Sequence, residues 1–244
     1  MQEKIIFATV NRKVQYTDLH TQPFKSTWDL QEQLLRENIA CKVEGMPCNN
    51  HLLFVEHPPV YTLGKNGKEE HVLIDEKTRL EKGIEYFHIN RGGDITFHGP
   101  QQLVGYPVLD LDEFKTDLGW YLRSLEEVII LSLAEYGILA GRSPGETGVW
   151  LQPDMKGKER KICAMGIRCS RWITMHGFAL NVNTNLDYFN YIIPCGIQNK
   201  EVTSIERELG NKVDMLEVKE KVKYYFSKVF ECEIINERLQ GMIS

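Results

Sequence analysis

The run N-R-G-G-D-I-T-F-H-G-P at residues 90–100 constrains what this chain can fold into more than any other stretch. Side chains alternate from Asp94 to His98, placing Asp94, Thr96 and His98 on one face of a predicted strand and Ile95 and Phe97 on the other. One face is polar and the other belongs to a core. Gly92 and Gly93 let the backbone take positive φ or approach a ligand, and Gly99-Pro100 ends the run in a turn. This is the make-up of a site wall; the plainer alternative is a hairpin with a solvated face. A second strand is expected over residues 102–111, where Pro107 implies an edge position or a bulge.

The rest of the chain surrounds that hairpin with mixed elements. Residues 4–10 read as a first strand, and residues 24–43 as an amphipathic helix with Trp28, Leu35 and Ile39 near helical spacing, stopped by Gly45 and Pro47. Residues 51–63 form a strand run broken at Pro58-Pro59. The following G-K-N-G-K lacks phosphate-loop spacing and reads as a loop at a site edge. The clearest helix spans residues 118–136, with Leu118, Leu122, Leu125, Ile129 and Leu133 on one side and Gly137 as its stop. A polar, glycine-rich connection (141–150) leads to a strand at 149–151, two more strands cover 161–167 and 172–182, and a turn or short helix covers 183–190. Thr203-x-x-Glu206 and Asp214-x-x-Glu217 are capping boxes; the second opens a helix with Val218, Val222, Tyr225 or Phe226, and Val229 inward, before a final strand near residues 232–235. Strands outnumber helices, and no repeat or linker divides the chain. The expectation is one α+β domain over residues 1–244, with mixed β-sheets and flanking helices.

Charge and cysteine usage narrow the function. A net charge of -5 argues against a general nucleic-acid binder. No apolar run approaches the ~20 residues of a membrane span, and the short apolar run at residues 5–10 is too brief for a secretory core. The six cysteines show no C-x-x-C pair, so reduced thiols in a cytoplasmic protein are expected, and no metal-ligand spacing is present.

Three systems could carry chemistry. Cys195 lies in I-I-P-C-G-I, between a residue without an amide hydrogen and one without a side chain, which exposes a thiol at a tight bend; a lone cysteine is otherwise buried filler. Cys41, Cys48, Cys169 and Cys232 have no such setting. Lys161 opens the apolar strand K-I-C-A-M-G-I, where a lysine is out of place unless it works or sits at a solvated turn. By alternation Cys163 shares its face and is a rival nucleophile. His98 and His176, each followed by glycine, are candidate general bases or hydrogen-bonding wall residues, and no carboxylate is spaced to complete a triad.

Taken together, E-H-P-P-V-Y-T-L-G (56–64), R-G-G-D-I-T-F-H-G-P (91–100), T-G-V-W (147–150), K-I-C-A-M-G-I-R (161–168), H-G-F-A-L-N-V (176–182) and P-C-G-I (194–197) resemble the lipoyl(octanoyl) transferase family, in order over about residues 50–205. The resemblance implies the fold of the biotin and lipoate protein ligase catalytic domains. It implies transfer of an octanoyl (or lipoyl) group from acyl carrier protein to a lysine of lipoyl domains, those of 2-oxoacid dehydrogenase complexes and of the glycine cleavage H protein, by a monomer with no cofactor and no ATP. Cys195 matches the acyl-thioester cysteine and Lys161 its partner. Arg91, Gly92, Gly93, Asp94, Ile95, Thr96, Phe97 and His98 match the segment lining the acyl pocket, and Ala164, Met165, Gly166, Gly177, Phe178 and Ala179 match further substrate contacts. Cys163 matches no functional position. Phe97 stands where tyrosine is usual and Gln101 where glycine is usual.

An ordinary thiol is only about 3% ionised at pH 7, and an ammonium some 4 Å away is sufficient to lower its pKa by about two units. Lys161 would then protonate the leaving thiol and later accept a proton from the incoming lysine. The basic run Lys156, Lys158, Arg160, Lys161, Arg168 and Arg171 is a candidate dock for an acidic carrier, or a solvated hairpin. The rival readings are an ATP-dependent lipoate or biotin ligase, which would not need Cys195, and a non-catalytic acyl- or lipoyl-domain-binding module.

Overall fold

The computed structural model describes residues 12–193 and 200–236. The strand expected at residues 4–10 lies outside them, as does Cys195. The described chain opens with β1 (Lys13–Thr21), α1 (Phe24–Val43), β2 (Asn50–Glu56) and β3 (Val60–Leu63). After α2 (Glu76–Glu81) come β4 (Glu85–His88), β5 (Ile95–His98) and β6 (Gln102–Val108). Then follow α3 (Leu118–Ala134), β7 (Ala140–Gly141), β8 (Val149–Leu151), β9 (Arg160–Ser170) and β10 (Ile173–Asn181). The last elements are β11 (Glu201–Val202), α4 (Ile205–Leu209), α5 (Met215–Val229) and β12 (Glu233–Asn236).

The large sheet runs β12-β1-β2-β6-β10-β9-β8-β7, with β11 alongside β9; β12, β1 and β2 are parallel and the central strands antiparallel. A small sheet runs β4-β3-β5. Both faces of the large sheet are covered, which is why β2 reads as a continuous apolar run. Leu52 and Phe54 pack toward α3 and α5, while Leu53 and Val55 pack toward Leu30, Leu34 and Leu35 of α1. The mixed-sheet α+β architecture expected from sequence is the one observed.

Two local expectations are corrected. β6 lies between β2 and β10, so Pro107 is in the sheet interior, not at an edge. Its missing amide is accommodated by a gap in the β6–β10 ladder, where the Thr174 hydroxyl donates to the Pro107 carbonyl (3.0 Å) and accepts from the Leu109 amide (3.0 Å). At α4 the cap is Ser204, whose hydroxyl accepts from the Arg207 amide at 3.1 Å, while Thr203 is bonded to Glu208. The cap at Asp214 is where the sequence puts it.

β9 and β10 are joined by Arg171 and Trp172, both at positive φ (52° and 66°), closing directly onto the Ser170–Ile173 pair. Two consecutive left-handed residues match the right-handed twist of the strands, the geometry of a type I′ hairpin. Gln101 also has positive φ (62°), which accounts for glycine being usual there. Its strain is held by its amide bond to Glu56 (2.9 Å) and by Asn183 and Thr184, both of which donate to its carbonyl at 3.0 Å.

Candidate active site

The site is a narrow cleft between the α1 face of the large sheet and the small sheet. Its empty volume is about 580 Å³, open solvent at the mouth included. The floor is glycine and alanine because the backbones are crowded: a Cβ on Gly177 would lie 2.2 Å from the Gly105 carbonyl oxygen, and one on Gly166 would lie 2.8 Å from that of Gly92. Gly166 and Gly177, with the small Ala164 and Ala179 beside them, let the backbone itself line the cleft.

The R-G-G-D-I-T-F-H segment forms the opposite wall, with a division of labour. Arg91, Gly93, Asp94, Ile95, Thr96 and His98 line the cleft, as do Met165 and Phe178. Gly92 and Phe97 do not. Gly92 donates its amide to the Ile167 carbonyl at 2.9 Å, tying this segment to β9. Phe97 points to the other face of β5, as alternation requires, and stacks on Tyr188 with ring centroids 4.6 Å apart. Arg91 is buried and donates to the carbonyl (2.6 Å) and hydroxyl (3.0 Å) of Thr62. Asp94 accepts from the Ile95 amide and pairs with His71, so its carboxylate is engaged within the loop. The G-K-N-G loop is laced to this wall through Lys65 to Arg91 (3.0 Å) and Asn66 to Gly93 (3.1 Å), which makes it a site-edge loop.

Lys161 reaches the cleft through an irregularity in β9. Opposite β8, Val149 pairs with Cys163 but the adjacent Trp150 pairs with Lys161, so Ile162 is an extra residue. The bulge changes the alternation: Lys161, Ala164 and Gly166 line the cleft, whereas Ile162 and Cys163 enter the core under α3. Lys161 and Cys163 thus do not share a face, against the reading by simple alternation. Cys163 is fully buried, and burial pushes its thiol far up from the ordinary range. Cys41, Cys48, Cys163, Cys169 and Cys232 are all free thiols, and none lines the cleft.

Both candidate histidines are wall residues held neutral. The His98 ring hydrogen-bonds through Nδ1 to the Gln102 side-chain oxygen at 2.9 Å and is pushed well down, first by burial and then by its neighbour His57. Burial, with the charges of Arg91 and Arg168, drives His176 to about 3; its Nε2 donates to Asn90 Oδ1 at 3.0 Å. Among the described residues neither has a carboxylate partner, and the lowered values make both weak proton acceptors.

Phe24, Ile89, Val104, Tyr106, Thr147 and His176 also line the cleft, and only His176 among them was singled out from sequence. Phe24, the first residue of α1, stacks on His98, meets His57 edge-on and, packed with Val60 and Ile89, closes the cleft. The basic run does not form one surface. Arg160 is bonded to Glu208, Arg168 to Glu32 across the molecule, and Lys161 is inside the cleft.

Comparisons with known proteins agree with this geometry. Residues 23–227 match the family model for the lipoyl protein ligase A/B catalytic domain. The chain is 55% identical to a protein named octanoyltransferase from Flavobacterium johnsoniae, covering 93% of this chain and all of that one. A protein of the same name from Christiangramia forsetii is 53% identical, over 92% of this chain and 99% of that one. Among solved structures, the bipartite lipoate protein ligase of Thermoplasma acidophilum, described with its E2 lipoyl domain, superposes with a TM-score of 0.68 at 18% identity, covering 95% of this chain and 88% of that one. That likeness concerns the fold and agrees with the architecture expected from sequence. With the family model spanning most of its length and relatives this similar over theirs, the chain belongs to the lipoyl protein ligase A/B catalytic-domain family.

Proposed function

We propose a two-step acyl transfer through Cys195 as the chemistry of this chain, whose activity is octanoyl transfer in protein lipoylation. The observation that supports it best is the delivery of Lys161 by the bulge of β9 to an apolar, glycine-floored cleft, where the residue is only 9% exposed. The thiolate of Cys195 attacks the carbonyl of octanoyl acyl carrier protein, the C–S bond to the carrier breaks, and Lys161 gives its proton to the departing thiolate. The amine of a lipoyl-domain lysine then attacks the Cys195 thioester. Lys161, now neutral, takes the proton that the amine loses, and the cysteine leaves as thiolate. The whole chain acts as a single cytoplasmic catalytic domain. Burying seven acyl carbons against Phe24, Ile89, Val104 and Phe178 would contribute about 5 kcal/mol of binding.

The test is intact mass after incubation with octanoyl acyl carrier protein without ATP. The expected result is an octanoyl-sized adduct, removed by hydroxylamine, in wild type and Cys163→Ser but not in Cys195→Ser. An adduct that requires ATP would replace the thioester mechanism with an acyl-adenylate.

A further inference from the structure

Behind Lys161 lies an arrangement that the transfer chemistry above does not use. Trp150 on β8 is directly paired with Lys161 on β9 and is 1% exposed. The Lys161 ammonium lies 4.5 Å from the Trp150 ring centroid and that of Lys200 lies 4.7 Å from the same ring. The two nitrogens are therefore within about 9 Å of each other. Two cations on one indole repel, and Glu146 offsets this: its carboxylate accepts from Lys200 Nζ at 2.5 Å, and both side chains are about four-fifths buried. Ser143 contributes a further contact to Lys200 at 3.3 Å. Lys200 directly precedes β11, which pairs with β9 at Arg160 and Lys161, so backbone and side chain both pin it beside Lys161.

We propose that Glu146 and Lys200 are a positioning pair for Lys161, holding it against Trp150 and setting the pH range over which it exchanges its proton. The proposal rests on the role given to Lys161 above. Among the described residues, other charges of the surrounding elements are engaged with partners of their own. Arg160 on the same strand is tied to Glu208 of α4, Glu126 of α3 to Arg123 and Arg142, and Asp94 across the cleft to His71. Arg91 is bound to Thr62, and His98 is neutral. Glu201 on β11 meets Arg207. The coupling runs both ways: burial raises the carboxyl of Glu146, but hydrogen bonds from Lys200 and Ser143 and the charges of Lys200 and Lys161 outweigh it and hold it below its usual range.

The signature is a pair of opposite shifts. Lys200→Met removes a cation and leaves the Glu146 carboxylate facing Lys161, which favours the ammonium. Glu146→Gln leaves Lys200 uncompensated, which favours the free amine. At about 9 Å and an effective dielectric near 20 a unit charge moves a midpoint by about 1.4 pH units, so each change is expected to move it by about one to one and a half units, upward for Lys200→Met and downward for Glu146→Gln.

Two readouts separate this proposal from the reading it rests on. Trace labelling of folded protein with acetic anhydride across pH, with Lys161 modification read by peptide mass, reports the proton on Lys161 whether or not the protein transfers acyl groups. Opposite shifts of the labelling midpoint in the two variants support the pair; equal or absent shifts overturn it. The pH profile of octanoyl transfer, with Lys161→Met as control, tests Lys161 itself. Full activity in Lys161→Met would overturn its catalytic role and leave the labelling result standing.

Discussion

Glu126 is a fully buried carboxylate in the middle of α3, and its removal gives a sharp test of how the loop between β7 and β8 is held. One oxygen accepts from Arg123 (2.7 Å) and Arg142 (3.0 Å), and the other accepts from the backbone amide of Gly148 (3.1 Å). Gly148 is at φ 103° and so close to β9 that a Cβ there would be 2.5 Å from the Cys163 carbonyl oxygen. Glu126→Ala would strand that amide, at a cost of about 1–3 kcal/mol. The two arginines are partly exposed and can turn to water, so their lost attraction adds at most about 1 kcal/mol. The total is about 3 kcal/mol, or roughly 6–12 °C in Tm for a chain of this size. Glu126→Gln keeps an acceptor for Gly148 and should lose about half as much. Thermal unfolding by circular dichroism measures both. A fall below about 2 °C for Glu126→Ala, or a greater loss for Glu126→Gln than for Glu126→Ala, would refute the reasoning.

Cys163→Ser should leave octanoyl transfer within about twofold of wild type, and Cys163 should resist iodoacetamide in the folded state at pH 8, because burial keeps its thiol protonated; rapid labelling mapped by peptide mass would contradict this. Phe24→Leu should raise the ratio of dodecanoyl to octanoyl transfer by on the order of tenfold, since it shortens the wall closing the cleft; an unchanged ratio means that the acyl chain runs elsewhere. Acid should destabilise the fold through four buried histidines, with folded values of about 4 for His51 and His57, about 3 for His176, and His98 held well below its ordinary range. These lie below the unfolded value, so the unfolded chain binds more protons, and stability falls as pH drops from about 6.5 toward 4. By pH 5 the loss is about 2 kcal/mol per histidine, and replacing His51 with an isosteric neutral residue should remove its share; urea midpoints at pH 7 and pH 5 give the comparison.

The parts of this molecule legible in sequence are those governed by short-range periodicity. α1 is legible to its ends because Trp28, Leu35 and Ile39 keep near-helical spacing before Gly45 and Pro47, and β5 because its two faces differ in polarity. What escaped depends on contacts distant along the chain. Phe24 reads as an ordinary first residue of a helix; only the return of β5, more than seventy residues later, makes it a cleft wall. Tyr106 reads as a strand aromatic until His57 meets its hydroxyl at 2.9 Å. Pro107 suggests an edge or a bulge because an interior proline needs a substitute partner, and Thr174, which supplies it, carries no signal of that role. Alternation puts Cys163 on the wrong face because counting by twos assumes an unbroken ladder, and the bulge is set by pairing with β8, not by residues 161–163 themselves.

That bulge bears on the fidelity of any acyl relay in this cleft. An acyl group resting on one thiol migrates readily to another within reach, by thioester exchange. The backbone of β9 places Cys163 behind the sheet, and among the described residues no cysteine lines the cleft. Among the described residues, an acyl chain bound there has the Lys161 amine beside it and no thiol, so the single extra residue at Ile162 turns the Cys163 thiol away from a cleft that a side chain two positions earlier enters.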